Sequence, residues 1–257
     1  MTYKKLKFWF DKELAILLAN KISEVNDSFA SKKFIASIDK GVSTLELKDR
    51  VEFIADQFSA YISEDYKKTI EVLTQVLGPE NEEETGMFTN FYWVMPIAKY
   101  VEKYGLDDFD LSMKAIEEIT KRNTGEYAIR PFIEKYQKKS LSQLRKWSKS
   151  KNRHVRRLSS EGPRPRLPWA SKLQIFIDEP TLIIPILNNL KDDASKYVQK
   201  SVANCINDIL KDNLDVGKDL IESWMPSESK NTSWIIKHAL RNLKKKEDAW
   251  ALKIISK

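Results

Sequence analysis

Glycine is scarce in this 257-residue chain, at seven residues, and a single cysteine, Cys205, rules out an internal disulfide. Cys205 and only two histidines, His154 and His238, offer no cluster with metal-ligand spacing, so neither a metal nor another cofactor is expected. No uninterrupted apolar stretch is long enough for a signal or membrane helix. The N-terminal MTYKKLKFWFDKELAILLANKISEV is amphipathic and contains acids, which leads to the expectation of a soluble cytoplasmic protein with no membrane partner. Strand signals, alternating apolar residues between tight turns, are missing. Acid is nearly missing from one place: between Lys135 and Lys172 thirteen Lys or Arg residues stand with one carboxylate, Glu161. The formal net charge is +7 while this segment alone contributes +12, so the remainder sums to −5 and the basicity is local. A folded protein with one basic face usually presents it to nucleic acid. A solvated helix surface is the plainer alternative.

What the chain has in quantity is helical periodicity. Leu47, Val51, Ile54, Phe58 and Tyr61 form one stripe, and Ile70, Leu73 and Leu77 a second. Ile183, Ile186, Leu187 and Leu190 form a third, Val198, Val202, Ile206 and Ile209 a fourth, and Ile236, Ala239, Leu240 and Leu243 a fifth. Polar or glycine-containing breaks at 78–86, 123–125, 191–195 and 226–231 keep the helices short, and short helices in series hide their apolar faces only against neighbours. Trp147 precedes Val155 by eight residues across a polar turn, Leu190 precedes Val198 by the same interval, and Trp224 and Trp234 form a longer-turned copy. A helix, a turn and a second helix recurring at roughly forty residues match the spacing of HEAT-type repeats. The expected fold is all-α: one domain over 1–257, a right-handed superhelical stack with a concave basic groove. Residues 1–105 would cap the stack and 106–257 would carry the groove and the site. Pro185 is expected to kink its helix or sit in the first turn.

Few residues stand out as candidates for chemistry. Glu161 ends the helical stretch RHVRRLSSEG, with Gly162 expected at the position after the helix and Pro163 closing it. A carboxylate there opposes the helix dipole, so either a function or an i, i+4 pair with Arg157 explains it. Trp169 follows Pro163, Pro165 and Pro168, whose fixed φ angles stiffen the loop; it presents a ring to a base or anchors the loop to the core. Asp208 falls on the polar face of its helix with Ser201, Asn204 and Lys211, where a solvated aspartate is the default. Glu126 is expected in a first helical turn after Asn123, Thr124 and Gly125, complementing the dipole, with Arg130 four residues on to orient it.

Four segments, TGEYAIRPFI from Thr124, RRLSSEGPRPRLPWA from Arg156, YVQKSVANCINDILKD from Tyr197 and WIIKHALRNLKKK from Trp234, are together similar to DNA alkylation-repair glycosylases built from HEAT-like repeats. They resemble the AlkC and AlkD group, and the AlkC branch more closely. The SEG, RPRLPW combination is the specific part; VANCIND is shared more loosely with other HEAT proteins. The resemblance implies that Asp208 acts in catalysis, with Glu161 and Glu126 as further carboxylates at the lesion. It implies Trp169, Tyr127 and Arg130 as lesion-binding residues. Arg156, Arg157, Arg164, Arg166, Lys200 and Arg241 would hold DNA phosphates. Some members of the branch carry a C-terminal immunoglobulin-like domain; this chain has no strand-rich tail, and the DNA contact of such a domain is expected to be absent.

The expected activity is that of a monofunctional DNA glycosylase on cationic alkylated bases, 3-methyladenine, 3-methylcytosine and 7-methylguanine, in double-stranded DNA, by a monomer without cofactor. A base that already carries positive charge leaves without protonation. Such an enzyme needs negative charge near the sugar and an oriented water more than an acid. The alternative is a HEAT-repeat module that binds nucleic acid or a protein partner and catalyses nothing.

Overall fold

A computed structural model describes residues 4–256, and among them the secondary structure is helical, with no strand. The chain divides into two compact units, Met1–Ile129 and Arg130–Lys257. They divide the charge unequally: the first carries 17 Lys or Arg against 23 Asp or Glu, the second 27 against 14. Six α-helices build the first unit: α1 (Lys12–Ser23), α2 (Ser31–Gly41), α3 (Leu47–Tyr61), α4 (Tyr66–Gln75), α5 (Met95–Tyr104) and α6 (Phe109–Thr120). Asp11, Asp65 and Asp108 cap α1, α4 and α6 by accepting hydrogen bonds from first-turn amides. The first two stripes read from the sequence lie on α3 and at the α4 end of the unit, and their apolar residues enter a core shared with Phe34, Ile97, Tyr100 and Ile116. Within it Arg50 is buried and donates to the carbonyls of Phe10, Ser43 and Leu45, so one guanidinium ties the N-terminal segment to the turn before α3.

In the second unit α7 (Arg130–Lys135) leads into helix pairs. They are α8 (Gln137–Trp147) with α9 (Arg153–Glu161), α11 (Ile184–Leu190) with α12 (Lys196–Asp212), and α13 (Leu214–Ser223) with α14 (Lys230–Ala239). The short α10 (Gln174–Asp178) precedes α11, and α15 (Arg241–Lys245) and α16 (Ala249–Ile255) follow α14. Each pair contains one copy of the internal repeat: Trp147 ends α8 before Val155 of α9, Leu190 ends α11 before Val198 of α12, and Trp224 follows α13 before Trp234 of α14. The second helix of each pair begins on a side-chain cap, Asn152, Ser195 or Ser229, which accepts from amides two or three residues on. Those second helices pack in the order α9, α12, α14.

Side-chain bonds repeat from turn to turn. Arg156 of α9 forks onto Asp193 in the turn before α12, at 2.6 and 3.1 Å. The adjacent Asp192 accepts from Ser229 and Asn231 at the start of α14. Among the first helices, Trp224 Nε1 donates to Asn188 Oδ1 at 2.7 Å.

Three local expectations are corrected. Gly162 is right-handed, with φ −57° and ψ −44°, so α9 ends because Pro163 has no amide and not through a left-handed glycine. Glu126 lies in a turn four residues ahead of α7, not inside a helix. The fifth stripe is broken after Ala239, which leaves Leu243 on α15. Pro185 sits in the first turn of α11, where its missing N–H costs nothing.

Candidate active site in the second unit

Asp208 sits in the fourth turn of α12, and the helix face that looks polar in sequence is turned onto α9. Ser201 of that face meets Ser160 of α9, hydroxyl to hydroxyl at 2.7 Å, and Asp208 itself is 1% exposed. The expectation of a solvated aspartate is therefore overturned: a polar stripe was available for burial because a neighbouring helix offered matching polar groups. Glu161, at the last position of α9, is 5% exposed, and Arg164, just beyond, is 7% exposed. Arg164 bridges the two acids, donating from Nη1 to Glu161 Oε1 at 2.7 Å and from Nε to Asp208 Oδ2 at 2.9 Å. Arg157 approaches Glu161 Oε1 at 3.5 Å, and Lys211 approaches Asp208 Oδ1 at 3.4 Å from the solvent side. The i, i+4 pair with Arg157 thus exists, but it is the longer of two partners.

Burial alone would raise the proton affinity of the Glu161 carboxyl; the charges of Arg157 and Arg164, with hydrogen bonds from Ser201 and Arg164, outweigh it and hold the group below the ordinary carboxylate range. Burial likewise opposes charge on Arg164, and Glu161 and Asp208 more than restore it. The nearby Cys205 thiol is pushed up by complete burial, which removes it as a nucleophile.

The loop after Glu161 is held from beneath. Arg130 of α7, 4% exposed, donates to the carbonyls of Gly162 at 2.8 Å, Arg164 at 2.9 Å and Ser171 at 2.5 Å. Leu173 N donates to Pro165 O at 3.1 Å across the neck of the loop, and Leu167 plugs into the core. At the tip Trp169 is 57% exposed and has φ +66°, a left-handed conformation that tryptophan rarely adopts. The core-anchor alternative for this ring falls away, since Leu167 does that work. Backbone strain of about 1–2 kcal/mol is retained to hold an exposed ring in place.

The six expected phosphate contacts separate into two kinds. Arg156 is engaged by Asp193, and Arg166 forks onto Asp212 through Nε at 2.7 Å and through Nη2. Arg164 is enclosed by the carboxylates. Arg157 lies over the Tyr197 ring at 4.9 Å while facing Glu161, Lys200 is exposed on α12, and Arg241 is half-buried, donating to Asn204 Oδ1 at 2.9 Å and to His238 O at 2.8 Å. Beside Lys200 and Arg241, His238 stacks on Trp234 at 4.9 Å with the planes 8° apart, and Lys196 covers that Trp234 ring at 4.1 Å. Burial, helped by Arg241 and Lys200, lowers the His238 pKa. This lysine, tryptophan and histidine group escaped the sequence reading, although Lys196, Lys200 and Asn204 are spaced four apart on α12 and Trp234, His238 and Arg241 four and three apart along α14 and beyond.

Glu126 and Tyr127 belong to the first unit. Glu126 is 3% exposed, and Thr124 Oγ1 donates to its Oε2 at 3.0 Å while accepting from its amide at 3.2 Å. Arg130, expected to orient Glu126, is instead found making the three carbonyl contacts of the loop.

Among the described residues no helix is long and apolar enough to cross a membrane. The uncharacterized protein YhaZ of Bacillus subtilis (strain 168) is 35% identical over 248 residues, which cover 96% of this chain and 67% of YhaZ. The structure of Pseudomonas fluorescens alkylpurine DNA glycosylase AlkC bound to DNA containing an abasic site analog is similar with a TM-score of 0.90 at 35% identity, covering 99% of this chain and 69% of that one. The buried carboxylates, the braced tryptophan loop and the repeated helix pairs all lie within residues 41–243, which match the profile of the DNA alkylation repair enzymes, and the chain belongs to that family.

Proposed function

We propose that the protein is a monofunctional DNA glycosylase that hydrolyses the N-glycosidic bond of cationic alkylated bases in double-stranded DNA. The observation that carries this reading is the pair of buried acids, Glu161 and Asp208, in a unit rich in positive charge whose loop after Glu161 carries an exposed, strained Trp169. A surface meant only to grip phosphate gains nothing from buried carboxylates. A site for a cationic base does, because the charge it must stabilise is positive before the bond breaks and moves onto the sugar as it does. Likeness to AlkC, an alkylpurine DNA glycosylase, supports the same substrate class.

In this reading the bond between C1′ and the base nitrogen breaks with its electron pair passing to the base, which leaves neutral. Water then adds to C1′ and gives its proton to Asp208, whose carboxylate has meanwhile stabilised positive charge on the ring. Trp169 covers the cationic base or its deoxyribose. Glu161 contributes negative potential for recognition. No amine nucleophile is used, so the product is an abasic site in an uncut strand. Lys200 and Arg241 are the phosphate contacts beside the acids in this reading.

The test is release of 3-methyladenine, 3-methylcytosine or 7-methylguanine from methylated duplex DNA by wild type and by Asp208→Asn. Wild type should release at least one, and the variant should be slower by about 100-fold or more, the scale expected for a positioned general base. Wild type that releases none of the three bases refutes the activity.

A further inference from the structure

The buried centre of the second unit holds two acids and one guanidinium, and the guanidinium belongs to neither helix. Arg164 enters from the loop, is 7% exposed, and uses its Nε on Asp208 and its Nη1 on Glu161. A side chain placed to read phosphate would leave its donors facing solvent, as the exposed Lys200 does. A second cation, Lys211, stands 3.4 Å from the opposite oxygen of Asp208 and is itself 45% exposed, a weak restraint on orientation. The short, nearly dry contact to Oδ2 is the one able to fix the carboxylate plane.

We propose that Arg164 is a positioning residue of the reaction: gripped between Glu161 and Asp208, it sets the orientation of the Asp208 carboxylate and supplies the charge that lets two buried acids share one site. This rests on the glycosylase reading for its consequence in turnover, but not for its physical content. Arg130 extends the device, since it holds the Arg164 carbonyl at 2.9 Å and so fixes where the bridging side chain starts.

The charged and titratable groups facing Glu161 are Arg157 on its own helix, Arg164 on the loop, and Cys205 and Asp208 on α12, with Ser201 donating a hydrogen bond. Beyond Asp208 lie Lys211 and Arg241. Folded Glu161 binds its proton less tightly than the unfolded chain does. Its stabilisation is therefore complete above the ordinary carboxylate range and is lost as pH falls through the folded value. Removing Arg164 weakens that balance, because burial, which raises the proton affinity, is then opposed only by Arg157 and the Ser201 hydrogen bond.

Two measurements test the role. In single-turnover release of 3-methyladenine between pH 5 and 9, Arg164→Met should move the acid limb toward neutral by about one pH unit or more, with Arg164→Lys in between. Affinity for undamaged duplex and its salt slope should stay as in wild type. A slope smaller by about one would make Arg164 a phosphate contact, and an equal loss of rate at every pH would make it merely structural; either result overturns the proposal. The second measurement is a carbon-13 titration of the Glu161 carboxyl in DNA-free wild type and Arg164→Lys, the variant that keeps a charge and so guards against misfolding. The carboxyl should titrate at higher pH in the variant, and an unmoved carboxyl refutes the positioning role. This titration needs no turnover, so wild type that releases no base would end the glycosylase reading while the role of Arg164 is still decided.

Discussion

Replacing Trp169 by alanine and by glycine separates the backbone of the loop from its ring. Both variants delete the same side chain, so the loss of whatever surface the ring covers is common to both and cancels in the comparison. What differs is φ, which is +66° at this position. Alanine keeps a Cβ that the left-handed region penalises by about 1–2 kcal/mol, whereas glycine adopts that region freely. Glycine loses more chain entropy on folding, about 0.5–1 kcal/mol relative to alanine. The net expectation is that Trp169→Gly is more stable than Trp169→Ala by roughly 0.7 kcal/mol, the middle of a range of about 0–1.5 kcal/mol, the reverse of the usual order. Urea unfolding at equal m-values reads this difference directly, as a higher midpoint for glycine. Neither variant should approach the 3–5 kcal/mol loss that follows deletion of a core tryptophan, since the ring is 57% exposed. Base release should fall by at least about fivefold in both, as expected when a stacking contact of roughly 1–3 kcal/mol is lost. A more stable alanine variant would refute the strained-loop argument, and unchanged release rates would refute the placement of the ring at the lesion.

Arg130→Met removes three donors from the carbonyls of Gly162, Arg164 and Ser171 and should cost about 3–5 kcal/mol of stability, counting charged hydrogen bonds at roughly 1.5–3 kcal/mol each and not as additive. Hydrogen exchange should show the amides of Ala170 and Leu173 losing protection first, and a loss below about 1 kcal/mol would deny the clamp. Lys200→Ala and Arg241→Ala should each reduce the salt slope of duplex binding by about one, while Arg156→Ala and Arg166→Ala, whose charges are answered by Asp193 and Asp212, should leave it nearly unchanged. Equal slopes across all four variants would contradict this division.

The helices were legible because apolar periodicity is a local signal. Trp147 with Val155 and Leu190 with Val198 mark the ends and beginnings of paired helices from sequence spacing alone. The acids were legible as candidates, but not their surroundings. Asp208 has the periodicity of a surface residue, and only the opposing Ser160 and Arg164, more than forty residues earlier, make that face an interior one. Arg156 and Arg157 adjoin in sequence and look equivalent, yet a step of roughly 100° around α9 sends one to Asp193 and the other to Glu161. Arg130 reaches residues 32 to 41 positions ahead, and nothing in its own neighbourhood announces that. Trp169 was ambiguous because proline restricts a loop without stating which of its apolar residues turns inward; Leu167 does so, and the tryptophan is the exposed one.

The turn before α12 carries two adjacent aspartates that look in opposite directions, Asp193 back to Arg156 and Asp192 forward to Ser229 and Asn231. Such a turn works as a two-sided connector. It lets a further pair be spliced in after α12, on the α14 side, if its own turn carried one carboxylate for the neighbour behind and one for the neighbour ahead. It also makes the two joints separable, since neutralising Asp193 loosens one seam and neutralising Asp192 the other. Lengthening or shortening such a protein by whole pairs beyond α12 is then a matter of matching connectors, with the acids of α9 and α12 carried along undisturbed.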